Sequence, residues 1–390
     1  MSWETIEISP PVPPICGRPF GQRRAQARPF ICDILMFKSI RLESVLDPSR
    51  NSLTLVRLLA ALSVIISHAF EIAVGRGAPQ PLESATPFNL GQHAVNVFFV
   101  ISGLTLSQAL AKNPDLRRFC VARMLRIFPG LVVYGLVFTF IAGPFLTSAA
   151  WQDYWSSAST YLYPLTVLVS FAHAPPPPGL FEAVPLAGIV NEPLWTIRYE
   201  IAAYIGLALL SAFGILRVRC ALFTAGLVAA ALYVIVEATP SLMEAVPGVG
   251  SLTRFAMCYM VGVLAYEYRE RIELSPIYLA SMVPALWLLG NTPLARPVYV
   301  IFTGYLVFVL ASRQLGPISI WAQRNDISYG TYLYGWPVQQ SAMAIFPSMG
   351  IAANMLAGLL FAPLAGYASW KLVERRALEL KSRLVRRRGD

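Results

Sequence analysis

Residues 53–73 read LTLVRLLAALSVIISHAFEIA, an apolar stretch of the length that a helix needs to cross the core of a bilayer. Similar stretches recur along the chain, and their apolar residues run on without the alternation typical of strands in a membrane barrel. They lie at 91–110, 127–147, 194–214, 220–237, 253–268, 276–290, 297–312, 327–346 and 351–370. We therefore predict an all-α, polytopic membrane protein with about ten transmembrane helices, although several stretches fall short of about 20 residues.

The composition agrees with a membrane protein and excludes several other classes. Of the 390 residues, 56% are hydrophobic and 13% are charged, and this charged share is about half of that in soluble domains. So few charges cannot cover a water-soluble fold of this size, which excludes a cytosolic enzyme and a disordered regulator. The formal net charge of +10 does not indicate a nucleic-acid partner, because the basic residues lie in short segments between apolar stretches. With three histidines in the chain, no metal site is expected.

The distribution of Lys and Arg predicts the orientation. If the N-terminus is cytoplasmic, nearly all basic residues outside the apolar stretches fall on inner segments, whereas the long outer loop at 148–193 has none. The positive-inside rule then places both termini in the cytoplasm. This gives a cytoplasmic N-terminal tail at 1–50, a transmembrane domain at 51–375 and a basic cytoplasmic tail at 376–390, which we expect to touch anionic membrane lipids.

Two basic side chains interrupt the first apolar stretch. Arg57 and His68 are eleven residues apart, so on a helix they share one face and are separated by about 16 Å. Ionisable groups at this depth often serve a function. Alternatively, Arg57 extends to the cytoplasmic interface and His68 is a hydrogen-bonded packing residue. In the functional interpretation, Arg57 binds a phosphate or pantetheine group and His68 acts as a base above it.

The fourth stretch opens with LWTIRYEIAAY at 194–204. Counted from the outer surface, Glu200 reaches about the depth of His68, so its carboxylate is expected to orient the imidazole. Arg198 lies at nearly the same level. Because residues two apart on a helix do not face each other, we expect Arg198 and Glu200 each to pair with another span.

Three other segments each allow two interpretations. In HAVNVFFVISGLTL at 93–106, Gly103 after Ser102 either permits close helix packing or shapes a cofactor tunnel. In RRFCVARMLRIFPG at 117–130, Arg123 and Arg126 either mark an inner loop or bind an anionic ligand with several phosphates. In the outer loop, aromatic residues such as Trp151 and Trp155 form either an interfacial segment or an acceptor-binding lid.

Together these motifs resemble the membrane-bound acyltransferase family 3, a group of sugar and lipopolysaccharide O-acetylases. The resemblance covers about residues 50–375 and rests on the combination of motifs rather than on any one. The motifs are the Arg57–His68 spacing, FFVISG at 98–103, RMLRIFPG at 123–130, LWTIRYEIAAY at 194–204 and ISYGTYLYGWPV at 327–338. The chain departs from the family pattern at Asn96, where an acidic residue is common, and at Gly335, where a histidine commonly precedes Trp-Pro.

The resemblance implies an enzyme of the bacterial inner membrane. Such an enzyme takes an acyl group, usually acetyl, from cytoplasmic acyl-CoA and delivers it to a hydroxyl of an envelope or secreted carbohydrate or glycolipid. It implies His68 as the catalytic base, with Arg57 and Glu200 beside it in catalysis. We further assign Arg123, Arg126, Ser102 and Gly103 to acetyl-CoA binding, and Asn96, Trp195 and Arg198 to acceptor binding. The alternative is a multi-pass transporter or flippase for a glycan or lipid-linked substrate, which an inverted repeat would favour; we see none.

Overall fold

The computed structural model describes residues 39–47, 51–171 and 174–386, of which 381–386 are described by their backbone alone. The remainder of the predicted N-terminal tail and the last four residues of the predicted C-terminal tail lie outside the described residues. Within the described part, two residue pairs form strands and nearly all the remaining regular structure is helical. The prediction of an essentially all-α protein is confirmed.

The helices follow one another with short connections. They are α1 (Leu53–Val74), α2 (Leu90–Lys112), α3 (Leu116–Val137), α4 (Trp151–Ser156), α5 (Ala158–Ser170), α6 (Ile197–Ala212), α7 (Arg219–Ala238), α8 (Pro240–Ala245), α9 (Val249–Glu267), α10 (Pro276–Ser281), α11 (Val283–Leu289), α12 (Ala295–Ala311), α13 (Pro317–Arg324), α14 (Ser328–Ile345), α15 (Ile351–Ser369) and α16 (Arg375–Arg386). A π-helical turn, Phe138–Ala142, joins α3 to the helical segment Gly143–Leu146, and a second, Trp370–Glu374, joins α15 to α16. Short 3₁₀ segments lie at Leu42–Leu46, Glu192–Thr196 and Ile215–Arg217.

Six helices in the described ranges are long and apolar enough to cross a membrane. They are Leu53–Val74, Leu90–Lys112, Leu116–Leu146, Arg219–Ala238, Val249–Glu267 and Ile351–Leu380. Helices also cover the other four predicted stretches. These four segments are either too short or not apolar enough to count among the six spans. A multi-pass membrane protein is therefore confirmed, whereas the count of ten spans and the cytoplasmic position of both ends stay predictions.

Small residues let α2 and α9 lie side by side. A Cβ atom at Gly103 would collide with the carbonyl oxygen of Tyr259, and one at Gly262 would collide with the carbonyl oxygen of Val100. The rings of Phe99 and Phe255 stack beside this contact, with centroids 4.2 Å apart. Helices in a membrane associate through such close packing, because lipid offers little hydrophobic driving force. The packing interpretation of Gly103 therefore accounts for its place in the fold.

Part of the predicted N-terminal tail is packed against the helices. Strand β1 (Ile40–Arg41) pairs antiparallel with β2 (Glu273–Leu274), which is the exception to the all-α prediction. Leu42 and Val45 in the following 3₁₀ segment are fully buried. Because these apolar side chains are removed from solvent, the described folded body begins at residue 39 rather than at 51.

The predicted outer loop at 148–193 contains two helices, α4 and α5, that the apolar stretches did not reveal. Pro164 lies within α5, whose outward face carries the exposed side chains of Leu165 and Val169. The aromatic side chains of this segment pack on one another and on the π-helical turn that follows α3: Trp155 stacks on Phe140, with centroids 6.2 Å apart. This arrangement favours an interfacial aromatic segment over a lid.

The contact between α2 and α9 generates a testable expectation. Gly103→Ala places a methyl group against backbone that cannot move away, so it should lower the free energy of unfolding by about 1–3 kcal/mol, the usual cost of overpacking. The measurement is the melting temperature of the detergent-purified protein. Gly206→Ala is the matched control, because a Cβ there meets nothing within 4 Å. Equal melting temperatures for the two variants would contradict this account.

Candidate active site

Four charged side chains form one ion-pair network between helices. Arg57 Nη1 lies 3.0 Å from Asp326 Oδ2, and Arg126 Nη2 lies 2.8 Å from the same oxygen. Arg126 Nη1 lies 3.2 Å from Glu374 Oε2. Two guanidinium groups thus face two carboxylates, and the formal charges cancel. We call these four residues the charge network; it joins α1, α3, the α13–α14 connection and the π-helical turn between α15 and α16.

The π-helical turn before α16 gives Glu374 its orientation. Ser369 Oγ donates a hydrogen bond of 3.0 Å to Glu374 Oε1. Residues five apart lie on different faces of an α-helix, whereas a π-helical turn brings them together, since its bonds join residue i to i+5. The Arg126 guanidinium also lies over the rings of Tyr329 and Trp370, at 5.6 and 5.8 Å from their centroids. Arg126 is therefore held on several sides.

Asp326 is the centre of the network. Burial alone would raise the pKa of its carboxyl, but the charges of Arg126 and Arg57 outweigh burial and hold that pKa below its ordinary value. Ser328 Oγ adds a hydrogen bond of 2.7 Å to Oδ1. Because this pKa is lowered in the folded state, the carboxylate stabilises the fold at neutral pH, and the contribution is lost as the pH falls.

A cavity of about 60 Å³ lies beside Arg57, between α1, α2, α6, α9 and α14; we call it the central cavity. The polar groups in its lining belong to Arg57, Ser102, Thr196, Glu200, Tyr259, Tyr329 and Tyr332. The hydroxyls of Thr196 and Tyr332 are 2.8 Å apart at one end of it. The structure thus brings together Arg57, Glu200 and Ser102 from three predicted stretches.

Glu200 does not orient His68 in this structure. Its carboxylate accepts a short hydrogen bond from the hydroxyl of Tyr204, one turn further along α6. Arg198 was expected to pair with another span, but it forms no ion pair among the described residues. Its guanidinium instead donates a hydrogen bond of 3.1 Å to the hydroxyl of the adjacent Tyr199. Tyr199 in turn donates to the carbonyl of Gly248 at the start of α9. Local partners therefore replace the predicted long-range ones.

His68 lies on α1 beyond the central cavity and is not part of its lining. Its ring meets the Trp336 indole edge to face, with centroids 5.0 Å apart and an interplanar angle of 76°. Its Nδ1 atom is buried and has no hydrogen-bond partner among the described residues. Trp336 follows Tyr332 by one turn of α14, so His68 lies about one helical turn beyond the part of the cavity that Tyr332 lines. The shared face predicted for Arg57 and His68 does not place both in one cavity.

The four residues predicted to bind acetyl-CoA occupy four different settings. Arg126 is buried in the charge network, so both of its terminal nitrogens already contact carboxylates. Gly103 contacts α9, whereas Ser102 lines the central cavity. Arg123 lies over the ring of Tyr204 at 5.8 Å, and its buried Nε has no hydrogen-bond partner in the described ranges. The assignment of these residues to the donor stays a prediction, and Arg123 and Ser102 fit it best.

The residues predicted to bind the acceptor are not gathered in one place. Asn96 is fully buried, and its amide has no hydrogen-bond partner among the described residues. Trp195 and Arg198 both contact the ring of Tyr199, at 5.6 Å between centroids and at 4.8 Å respectively. This part of the prediction remains an expectation. Across the described residues, no cluster of three or more His, Cys, Asp or Glu side chains could hold a metal ion.

Sequence reasoning missed Asp326, Glu374, Tyr204 and Tyr332. Asp326 immediately precedes the stretch at 327–346, and Glu374 follows the stretch at 351–370, so neither was counted as an intramembrane charge. The need to neutralise Arg57 was a signal for at least one acidic partner. The four-residue spacing of Glu200 and Tyr204 was a signal for a contact on one helix face.

These features define an integral membrane protein with a neutralised charge network and a polar cavity between its helices. A family model described as an acyltransferase domain matches residues 50–370. The chain therefore belongs to the acyltransferase family 3, as its motifs indicated, and it is an acyltransferase.

Two relatives agree with this family. The chain is 26% identical over 342 residues to an O-acetyl transferase of Shigella phage Sf6, which covers 85% of this chain and 97% of that protein. It is 28% identical over 387 residues to nodulation protein 10 of Rhizobium leguminosarum bv. viciae, covering 87% of this chain and 96% of that protein. No solved structure matches the chain. The family and the first relative identify the chain as an O-acyltransferase.

Removal of the central carboxylate tests the charge network. Asp326→Asn leaves two guanidinium groups short of a partner, and we expect it to lower the free energy of unfolding by about 2–3 kcal/mol at neutral pH. The deficit relative to the unmodified protein should shrink as the pH falls below about 4, because the carboxyl takes up a proton there in the unfolded chain but only at lower pH in the fold, where its pKa is lowered. The measurement is the melting temperature in detergent as a function of pH.

Arg375→Gln serves as the control for this variant. It breaks an exposed ion pair with Glu379, which is expected to contribute little. A deficit for Asp326→Asn that is no larger than that of Arg375→Gln, or that does not change with pH, would show that the network does not stabilise the fold.

Proposed function

We propose that this O-acyltransferase moves an acetyl group from cytoplasmic acetyl-CoA to a hydroxyl of an envelope or secreted carbohydrate in the bacterial inner membrane. The observation that supports this most directly is the central cavity, in which a guanidinium, a carboxylate and several hydroxyls face one another between helices. Intramembrane ionisable groups are costly unless they serve a function. The family supports transfer of an acyl group, and the name of the phage relative as an O-acetyl transferase supports acetyl as that group.

The proposed reaction uses His68 as the general base. A neutral imidazole takes the proton from the acceptor hydroxyl as that oxygen attacks the thioester carbonyl carbon. The tetrahedral intermediate collapses, the carbon–sulfur bond breaks, and the CoA thiolate takes the proton from the imidazolium. One ester and one thiol form from one thioester and one alcohol. The contact with Trp336 fixes the ring, and the unpartnered Nδ1 leaves the imidazole without a carboxylate among the described residues.

The distance between Arg57 and His68 along α1 indicates that Arg57 has a different role from His68. Eleven residues correspond to about 16 Å, so Arg57 and His68 cannot both contact one thioester carbonyl. We therefore assign Arg57 to the arm of the donor rather than to the oxyanion of the intermediate. In this arrangement the donor extends through the central cavity from the cytoplasmic side, and the acceptor reaches His68 from the outer side.

The proposal is first tested by comparing cells. Glycans and glycolipids from a deletion strain and its parent are analysed by mass spectrometry, and the deletion strain should lack an acyl increment on one hydroxyl. A transporter or flippase would instead move a substrate without forming an ester. Membrane vesicles that convert acetyl-CoA to free CoA only when the protein and the acceptor are present would exclude that alternative. Identical glycans in both strains would count against the proposal.

His68 provides a direct test of the mechanism. His68→Ala removes the base, and we expect acyl transfer to fall by at least about 100-fold, within the range that general-base catalysis contributes. The measurement is transfer of labelled acetyl from acetyl-CoA in membranes, normalised to the amount of protein. His93→Gln is the control, because His93 is hydrogen-bonded to Thr86 and Thr303 and lies outside the central cavity. Retained activity in His68→Ala would exclude this base.

Arg57 is tested by separating binding from turnover. Arg57→Gln removes the proposed contact with the donor arm, so the KM for acetyl-CoA should rise about tenfold while the KM for the acceptor stays unchanged. Arg57→Lys keeps the charge and should recover part of the effect. Arg271→Gln is the control, because Arg271 is an exposed cation outside the lining of the central cavity. If only the KM for the acceptor changed, Arg57 would contact the acceptor and not the donor, which would contradict this assignment.

A further inference from the structure

A second polar pocket lies at the other end of α6 from Thr196. It has a volume of about 230 Å³ and is enclosed by the ends of α2, α6, α7 and α9. We call it the inner pocket, because these helix ends carry the basic segments predicted to be cytoplasmic. The side chains that matter for its chemistry are Ser107, Ser211, Arg217 and Tyr266.

Two polar groups of the inner pocket lack a partner within the described residues. Ser107 is only 4% exposed, and its hydroxyl makes no hydrogen bond. Arg217 is exposed at the rim, and its guanidinium has neither an ion pair nor a hydrogen bond in the described part of the chain. A buried hydroxyl without a partner costs roughly 1–3 kcal/mol, so such a group is expected to bind something.

The remaining charge in the lining does not repel an anion. Glu267 lines the pocket, but Arg219 Nε lies 2.8 Å from its Oε1 and neutralises it. The unpaired guanidinium of Arg217 therefore leaves the pocket with a net positive charge. Leu110, Leu216 and Val263 are among the apolar residues of the lining and form an apolar wall.

The inner pocket is aligned with the central cavity. Glu200 and Ser211 are eleven residues apart on α6, so they share one face and lie about 16 Å from each other. Tyr259 and Val263 are one turn apart on α9, and they line the central cavity and the inner pocket respectively. Both cavities thus lie along the same faces of two neighbouring helices. An elongated ligand with a polar, anionic end could reach from one to the other.

We propose that the inner pocket binds the phosphate-bearing adenosine end of acyl-CoA. This inference rests on the proposed function, because it names where the donor of that reaction is held. Arg217 contacts a phosphate with its planar pair of N–H groups, and Ser107 and Ser211 donate hydrogen bonds. The apolar wall and Tyr266 contact the adenine ring. The acyl-bearing arm then points along α6 towards Arg57.

The experiment measures binding to the full-length protein in phosphatidylcholine nanodiscs by titration calorimetry. The probes are CoA and pantetheine, which shares the arm but lacks the nucleotide. Arg217→Gln should weaken the binding of CoA about tenfold or more and leave the affinity for pantetheine unchanged. Ser107→Leu fills the pocket and should have the same selective effect. Arg271→Gln removes an exposed cation that does not line the pocket, and it should bind both probes as the unmodified protein does.

Each other result overturns the inference. If the unmodified protein binds CoA but Arg217→Gln and Ser107→Leu bind it equally well, the nucleotide lies elsewhere and the proposed reaction stands. If CoA does not bind at all, both proposals fail. If the variants lost equal affinity for CoA and for pantetheine, the substitutions would act through a general structural effect and not through a contact with the nucleotide.

Adding phosphatidylglycerol to the nanodiscs tests whether the inner pocket binds CoA or the anionic headgroup of a lipid. Acyl-CoA as the ligand predicts that the affinity for CoA stays the same. Competition that weakens CoA in the unmodified protein but not in Arg217→Gln would show that a lipid headgroup occupies the pocket instead. Because Arg217 lies at the exposed rim, its substitution keeps the test valid even if Ser107→Leu does not fold.

Discussion

The neutralisation of Arg57 and Arg126 by Asp326 and Glu374 is the constraint on which the site depends. A guanidinium in apolar surroundings must find a carboxylate, and these two share one at Asp326. The shared carboxylate fixes where α1 and α3 stand relative to the beginning of α14. It therefore also fixes where the rest of Arg57 faces, which is into the central cavity. The central cavity therefore lies directly beside the charge network, with Arg57 belonging to both.

Close helix packing makes this network possible. A Cβ atom at Gly330 would press against Gly366 and lie 3.1 Å from Glu374 Oε1. A side chain at Gly130 would press against the ring of Tyr329, which covers Arg126. The small residues of α3, α14 and α15 thus allow the approach that brings the charges within hydrogen-bond distance. In this protein the packing residues and the charged residues act together.

The sequence predicted the helical class, the membrane location and several members of the site. Apolar stretches are local signals, so helices cover all ten of them, and the motif at 98–103 identified Ser102 beside the cavity. The partners of Arg57 and Arg126 were not predicted, because Asp326 is 269 residues from one and 200 from the other. The pairing of Glu200 with His68 was not found, because depth counted along straight helices ignores their tilt and rotation. The helix at 158–170 was missed because it has only 13 residues and contains Pro164, which disfavours a helix interior.

The π-helical turn at Trp370–Glu374 makes the final helix sensitive to its length as well as to its composition. It contains one more residue per turn than an α-helix, and that additional residue points Glu374 towards Arg126. The additional residue is accommodated only because the turn is π-helical. If the same number of residues took the regular α-helical form, everything beyond the turn would be rotated by about 100°. Such a change would keep every side chain in the chain and still separate the carboxylate from its cation. The spacing between Ser369 and Arg375 is thus itself part of the design of the site.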